Sequence, residues 1–244
     1  MSDLDVRVYP DADSLAAAVA AALVAAIRQA QARRGVADIV LTGGGIGIKS
    51  LAAVRSTPGA DGVDWSRVNV WWGDERYLPA GDPDRNETQA RAALLDALPL
   101  DPLRVHPMPA DTGDADDAAR TYADLLRVDA GEARDVPAFD VLMLGMGPEG
   151  HVASLFPKSP GVHAAAAVIA VHDSPKPPPV RLSLSLAAIR AAHAVWLIAA
   201  GEEKAEAVAQ CVAGANPQEI PAAGARGQEA SVLWVDVEAA ALLG

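Results

Sequence analysis

Cysteine is nearly absent. Cys211 stands alone in 244 residues, which excludes an internal disulfide and any metal site built on several thiolates. With no thiol motif around it, it reads as a small apolar residue on a helix. Aromatics are scarce too, at 4%, so aliphatic side chains and alanine must build the core. Bases are outnumbered, 20 Lys and Arg against 32 Asp and Glu, for a formal charge of −12. A field of that sign disfavours non-specific binding to nucleic acid or an anionic membrane, and neither is an expected partner. An anionic small molecule remains possible, because a few cations focused in a cleft outweigh distant surface charge. The first residues, MSDLDVRVYPDADS, lack a basic stretch and an apolar one. A secretory signal is therefore not expected, and the cytoplasm is the expected compartment. The apolar run Leu15 to Ile27 is too short and too alanine-rich for a bilayer span. No internal repeat occurs, and no Cys/His/Asp cluster has metal-ligand spacing, so neither cofactor nor metal is expected.

What is present is alternation. Short apolar runs at Val6–Tyr9, Asp38–Leu41, Val68–Trp72, Phe139–Leu144, Val168–Val171, Arg181–Leu184, Val195–Ala199 and Val232–Val235 read as strands, with a further short one at Val105–Met108. Helical patterns separate them. The first follows a cap at Asp13 or Ser14, keeps the 3.6 period from Leu15 to Ile27, and ends at Arg33, Arg34 and Gly35. Others run from an Asn86–Gln89 capping box to Leu95, from Asp116 to Val128, and from Glu202 to Val212. The proline-rich stretch Ser174 to Pro179 (SPKPPP) reads as a stiff loop within one domain. This pattern predicts an α/β fold over residues 1–244: a single domain, a three-layer sandwich around a mostly parallel, Rossmann-like sheet. Ligands of such sheets bind at the carboxyl ends of the strands.

Three unusual segments fall at that edge, each directly after an expected strand. Gly43, Gly44 and Gly45 open a short helix, where bare backbone N–H groups and the helix dipole favour an anion. The turn fits neither a Walker loop nor a dinucleotide fingerprint. Trp72-Gly73-Asp74-Glu75-Arg76-Tyr77 reads as a rigid charged loop, with Arg76 suited to a phosphate or carboxylate. Gly145 to Pro157 brings Glu149 and His151 to a strand end through Gly145, Gly147 and Gly150. The other histidines, His106, His163, His172 and His193, read as structural or surface groups.

Together these segments resemble the signature of the 6-phosphogluconolactonase family, within the larger group that includes glucosamine-6-phosphate deaminase/isomerase. The family runs a glycine turn, then W-G-D-E-R, then G-M-G-x-D-G-H-x-A-S-L-F-P, then R-x-[ST] and G-x-x-K-A. This chain has Trp72 to Arg76, Gly145 to Pro157, Arg181-Leu182-Ser183 and Gly201 to Ala205 in that order. Two positions depart: Glu149 stands where the family usually has Asp, and the first turn, GGGIGI, lacks the hydroxyl residues often seen after its glycines. The resemblance implies hydrolysis of 6-phospho-D-glucono-1,5-lactone, the second step of the oxidative pentose phosphate route. It implies His151 as the base for water, Glu149 or Asp74 as its orienting partner, and phosphate on the Gly43–Gly45 backbone with Arg76, Arg181 and Lys204. One of those cations can instead face the C1 oxygen. No serine nucleophile is indicated, since Ser154 lies past the histidine on an expected helix and G-x-S-x-G is absent. The expected partner is the sugar-phosphate lactone alone, acting on a monomer or weak dimer. A glucosamine-6-phosphate deaminase would read M-D-E-Y where this chain has GDERY and F-N-E-P where it has SLFP. A non-catalytic sugar-phosphate sensor would carry an added DNA-binding module.

Overall fold

The computed structural model describes residues 2–131 and 134–244. Six strands form a central sheet: β1 (Leu4–Tyr9), β2 (Ala37–Leu41), β3 (Val68–Trp72), β5 (Val141–Gly145), β8 (Ala194–Ala199) and β9 (Ala230–Asp236). Their order is β1-β9-β8-β5-β2-β3, and every pairing is parallel. Every residue of β2 and β3 is buried, so helices and loops cover both faces. The helices are α1 (Ala12–Arg34), α2 (Gly45–Val54), α3 (Asn86–Ala93), α4 (Ala115–Ala130), α5 (Leu186–Arg190), α6 (Ala205–Val212) and α7 (Pro221–Gly224). The expected α/β architecture is present.

α1 buries Leu15, Val19, Leu23, Val24 and Ile27, the stripe its period predicts, and Gly35 ends it at φ 77°. Its cap is Asp11, two or three residues earlier than expected, whose carboxylate accepts the Ser14 N–H at 2.7 Å. At 23 residues α1 is, by length and composition, apolar enough to cross a membrane, contrary to the expectation from Leu15–Ile27. Here that apolar stripe packs in the core.

Four further readings are corrected. Asp74–Arg76 is strand β4, not a loop; three charges in a row hid it, because its pairing partner lies over a hundred residues away. With β6 (Val168–Val171) and β7 (Arg181–Leu184) it forms a separate antiparallel sheet, β4-β7-β6. Val105–Met108 makes only a single bridge, Val105 to Val70. Ser154 lies in a turn rather than on a helix. The helix expected from Glu202 begins as a 3-10 turn, Glu202–Lys204, before α6.

β2 lies between β3 and β5, so the chain leaves it in both directions. That is the switch point of the sheet, where the carboxyl ends of neighbouring strands open a crevice. The three glycine-bearing segments therefore lie side by side.

Candidate active site

A cleft of ≈ 430 Å³ occupies this crevice. His151, Asp74, Arg76, Arg181, Lys204 and the Gly43–Gly45 turn all line it, and so do Lys49 and Lys176, which sequence reasoning did not single out, and Asn86, which it read only as a helix cap.

Gly44 holds φ 80° at the start of α2 and no side chain caps that helix. Its first-turn N–H groups are left to the cleft, as an anion site requires. Lys49, one turn along α2, pairs with Asp13.

Strand alternation sorts the Asp74-Glu75-Arg76 triplet. Asp74 and Arg76 line the cleft while Glu75 turns away and is fully buried. Glu75 accepts N–H bonds from Arg76 (2.8 Å), Asn86 (2.6 Å) and Glu87 (2.9 Å), with Arg85 Nη2 at 3.7 Å. It is thus the N-terminal cap of α3, supplied from another strand. Asn86 itself is the first helical residue, not the cap expected of it. Burial pushes the Glu75 carboxyl up to about 7, opposed by those N–H donors and the Arg85 guanidinium. The Asn86 amide instead reaches the Asp74 carbonyl at 2.9 Å and its carboxylate at 3.3 Å. Ser154 Oγ donates to the other Asp74 oxygen at 2.7 Å. That hydroxyl is fully buried and engaged, which suits a positioning role and not a nucleophile.

His151 sits on a tight turn. Gly147 N–H donates to the His151 carbonyl (3.0 Å), Gly150 N–H to that of Gly147 (2.9 Å), and Gly150 turns the chain at φ 85°. The ring packs against Phe156, tilted by 36° with centroids 4.6 Å apart. Its Nδ1 is buried, 3.0 Å from Glu149 Oε1, though without hydrogen-bond alignment. Nε2 is then the nitrogen left to the cleft. Of the two partners considered for the imidazole, Glu149 is the one beside it; Asp74 is held by Asn86 and Ser154. Burial alone would raise the Glu149 carboxyl, but His151, its own backbone N–H and Lys176 together hold it at about 2. It is a carboxylate at neutral pH.

The same Nδ1 edge of the imidazole also needs a glycine. A Cβ on Gly147 would fall 1.9 Å from His151 Nδ1 and 2.9 Å from Glu149 Oε2. Gly147→Ala is therefore expected to displace the ring by about an ångström and lower kcat by roughly 10–100-fold. Measured beside it by denaturant unfolding, stability should fall by no more than the cost of overpacking a buried position, about 1–3 kcal/mol.

Arg181 lines the cleft but is heavily committed. Its Nε donates to Pro178 O (3.2 Å) and its Nη2 to the carbonyls of Lys176 (3.1 Å) and Pro177 (3.0 Å). Burial lowers its pKa, countered by the Asp74 carboxylate. Arg76 gives Nη1 to Asp84 O (2.6 Å), and Lys204 lies 3.6 Å from Glu203. Arg76 and Lys204 thus retain more free donors than Arg181.

A family model described as glucosamine-6-phosphate isomerases/6-phosphogluconolactonase matches residues 10–234. A 6-phosphogluconolactonase of Streptomyces coelicolor is 54% identical over 241 residues, 96% of this chain and 92% of that one. One of Mycobacterium tuberculosis is 47% identical, covering 98% of each. Among solved structures, a 6-phosphogluconolactonase from Trypanosoma brucei superposes with a TM-score of 0.85 at 27% identity, over 100% of both chains.

Proposed function

The chain belongs to the glucosamine-6-phosphate isomerase/6-phosphogluconolactonase family, and from that footing we propose that it hydrolyses 6-phospho-D-glucono-1,5-lactone to 6-phospho-D-gluconate, the second step of the oxidative pentose phosphate route. The whole chain acts as one catalytic domain. The observation that carries the reading is the placement of His151: it lines the same cleft as the uncapped glycine turn, with its buried Nδ1 beside the Glu149 carboxylate.

His151 takes a proton from water as the water oxygen bonds to C1 of the lactone. The carbonyl electrons move onto the C1 oxygen, where cleft cations offset the charge. As that intermediate collapses, the bond from C1 to the ring oxygen breaks, and the imidazolium returns its proton to the departing oxygen. Glu149 holds the imidazole orientation and stabilises its charged form. The phosphate rests on the Gly43–Gly45 backbone and α2's first turn, with Arg76, Lys204 and the free edge of Arg181 around it. Acid release from freshly generated phosphogluconolactone, with spontaneous hydrolysis subtracted, tests this. No acceleration by micromolar protein would sink it.

A lactone is already an activated ester, and among the described residues no group of three His, Cys, Asp or Glu side chains could hold a metal ion. Activity is therefore expected to persist undiminished in excess EDTA. Complete loss, restored by a divalent ion, would overturn that expectation.

A further inference from the structure

His151 does not have Glu149 to itself. Lys176 brings Nζ within 3.0 Å of both Glu149 oxygens, while His151 Nδ1 stands 3.0 Å from Oε1. We propose that Lys176 is a positioning residue for the hydrolysis: by sharing the Glu149 charge it sets how readily His151 accepts a proton, and hence the pH range of the enzyme. The inference rests on the reading of His151 as the base.

The loop around Lys176 is built to hold it. Arg181 donates to the carbonyls of Lys176, Pro177 and Pro178. Ser174 Oγ accepts the Lys176 N–H at 3.3 Å and donates to its carbonyl at 2.9 Å, while Ser174 N–H closes the loop onto Pro179 O at 2.9 Å. A lysine serving only solubility needs no such frame. Lys176 also lines the cleft, with its side chain 40% exposed.

A carboxylate beside an imidazole stabilises the imidazolium; a cation on that carboxylate weakens the effect. The remaining charged groups that line the cleft with His151 are Lys49, Asp74, Arg76, Arg181, Glu203 and Lys204, with Arg181 lying over the Phe156 ring that packs tilted against the imidazole. None of these changes when Lys176 is replaced. Removing Lys176 should therefore make His151 hold its proton more tightly, and removing the Glu149 charge should do the reverse. Two substitutions in one ion pair that move the same titration in opposite directions are not explained by a loosened loop.

The test follows the His151 ring proton by NMR against pH in the intact protein, assigned by its absence in H151A, beside kcat against pH in the same variants. In K176M both the ring titration and the acid limb of kcat are expected to move up by about half to one pH unit, the size of a single half-exposed charge at this range. K176R should stay near wild type, and E149Q should move down. An unmoved or lowered midpoint in K176M, or K176R behaving like K176M, overturns the proposal. Failure of the base itself reads differently: H151A would keep its kcat whatever the ring titrations do.

Discussion

Replacing His151 with alanine is expected to lower kcat by about 10²–10⁴ while fold and binding of the phosphorylated product stay nearly unchanged. The imidazole is only partly exposed, at 16%, and its contacts are few: Phe156 on one face, Gly147 beside it and Glu149 at Nδ1. Truncation therefore removes the proton acceptor without opening the core. Binding survives because the glycine turn, Arg76 and Lys204 lie on other segments. Wild-type kcat should fall on the acid side as the imidazole takes up a proton and ceases to be a base. Single-turnover acid release at mildly acidic pH, where the lactone survives longest, is the measurement. Near-normal kcat in His151→Ala together with an inactive Asp74→Asn would assign the base to Asp74, and the site would then work in the manner of the deaminase branch of the family.

The second large effect is in the substrate. Unphosphorylated gluconolactone is expected to show a kcat/KM lower by about 10²–10⁴. Each charge-assisted contact to phosphate is worth about 1.5–3 kcal/mol, and two such contacts suffice for that range. The proposed phosphate cradle is the uncapped first turn of α2, and the Thr42 hydroxyl before it already accepts the Gly145 N–H. Lys204→Ala should reproduce part of the loss, chiefly in KM, because Lys204 has only a 3.6 Å contact with Glu203 to compete with substrate. Arg181→Ala is a less clean test, since its guanidinium also staples the Ser174–Pro179 loop. Equal kcat/KM for the two lactones would refute a phosphate site in this cleft.

Much of this was legible in the chain itself. Apart from the edge strand β1, the parallel strands announce themselves as apolar runs because both their faces are buried, and glycines at the ends of β2, β3 and β5 mark the crevice. The α1 period and its Gly35 stop are local signals, and local signals read well. The second sheet was not legible as such, because β4 carries three charges and its partner β7 comes far later in sequence. Glu75 read only as part of a charged loop; strand alternation turns it inward, and that needed β4 to be a strand. Asn86 resembled a helix cap, yet a distant carboxylate took that role and freed its amide for Asp74. Lys176 was embedded in a proline run that reads as a spacer. A lone lysine in a stiff loop just before Arg181-Leu182-Ser183 was the signal that could have found it.

The Glu75 cap has a consequence for how the site comes apart. Amides in the first turn of a helix ordinarily exchange with solvent almost as freely as those of a loop, since nothing within the helix bonds them. The Asn86 and Glu87 amides are instead closed onto a carboxylate with no exposure to water. Deuterium can reach them only when α3 parts from β4, the same event that carries Asp74 and Arg76 out of place. Their exchange rate is thus a direct meter of how often the cleft floor opens in an otherwise folded molecule. It should be slow beside that of the neighbouring exposed turn at Asp82 and Asp84. Equally fast exchange would mean that the floor of the cleft is not anchored there.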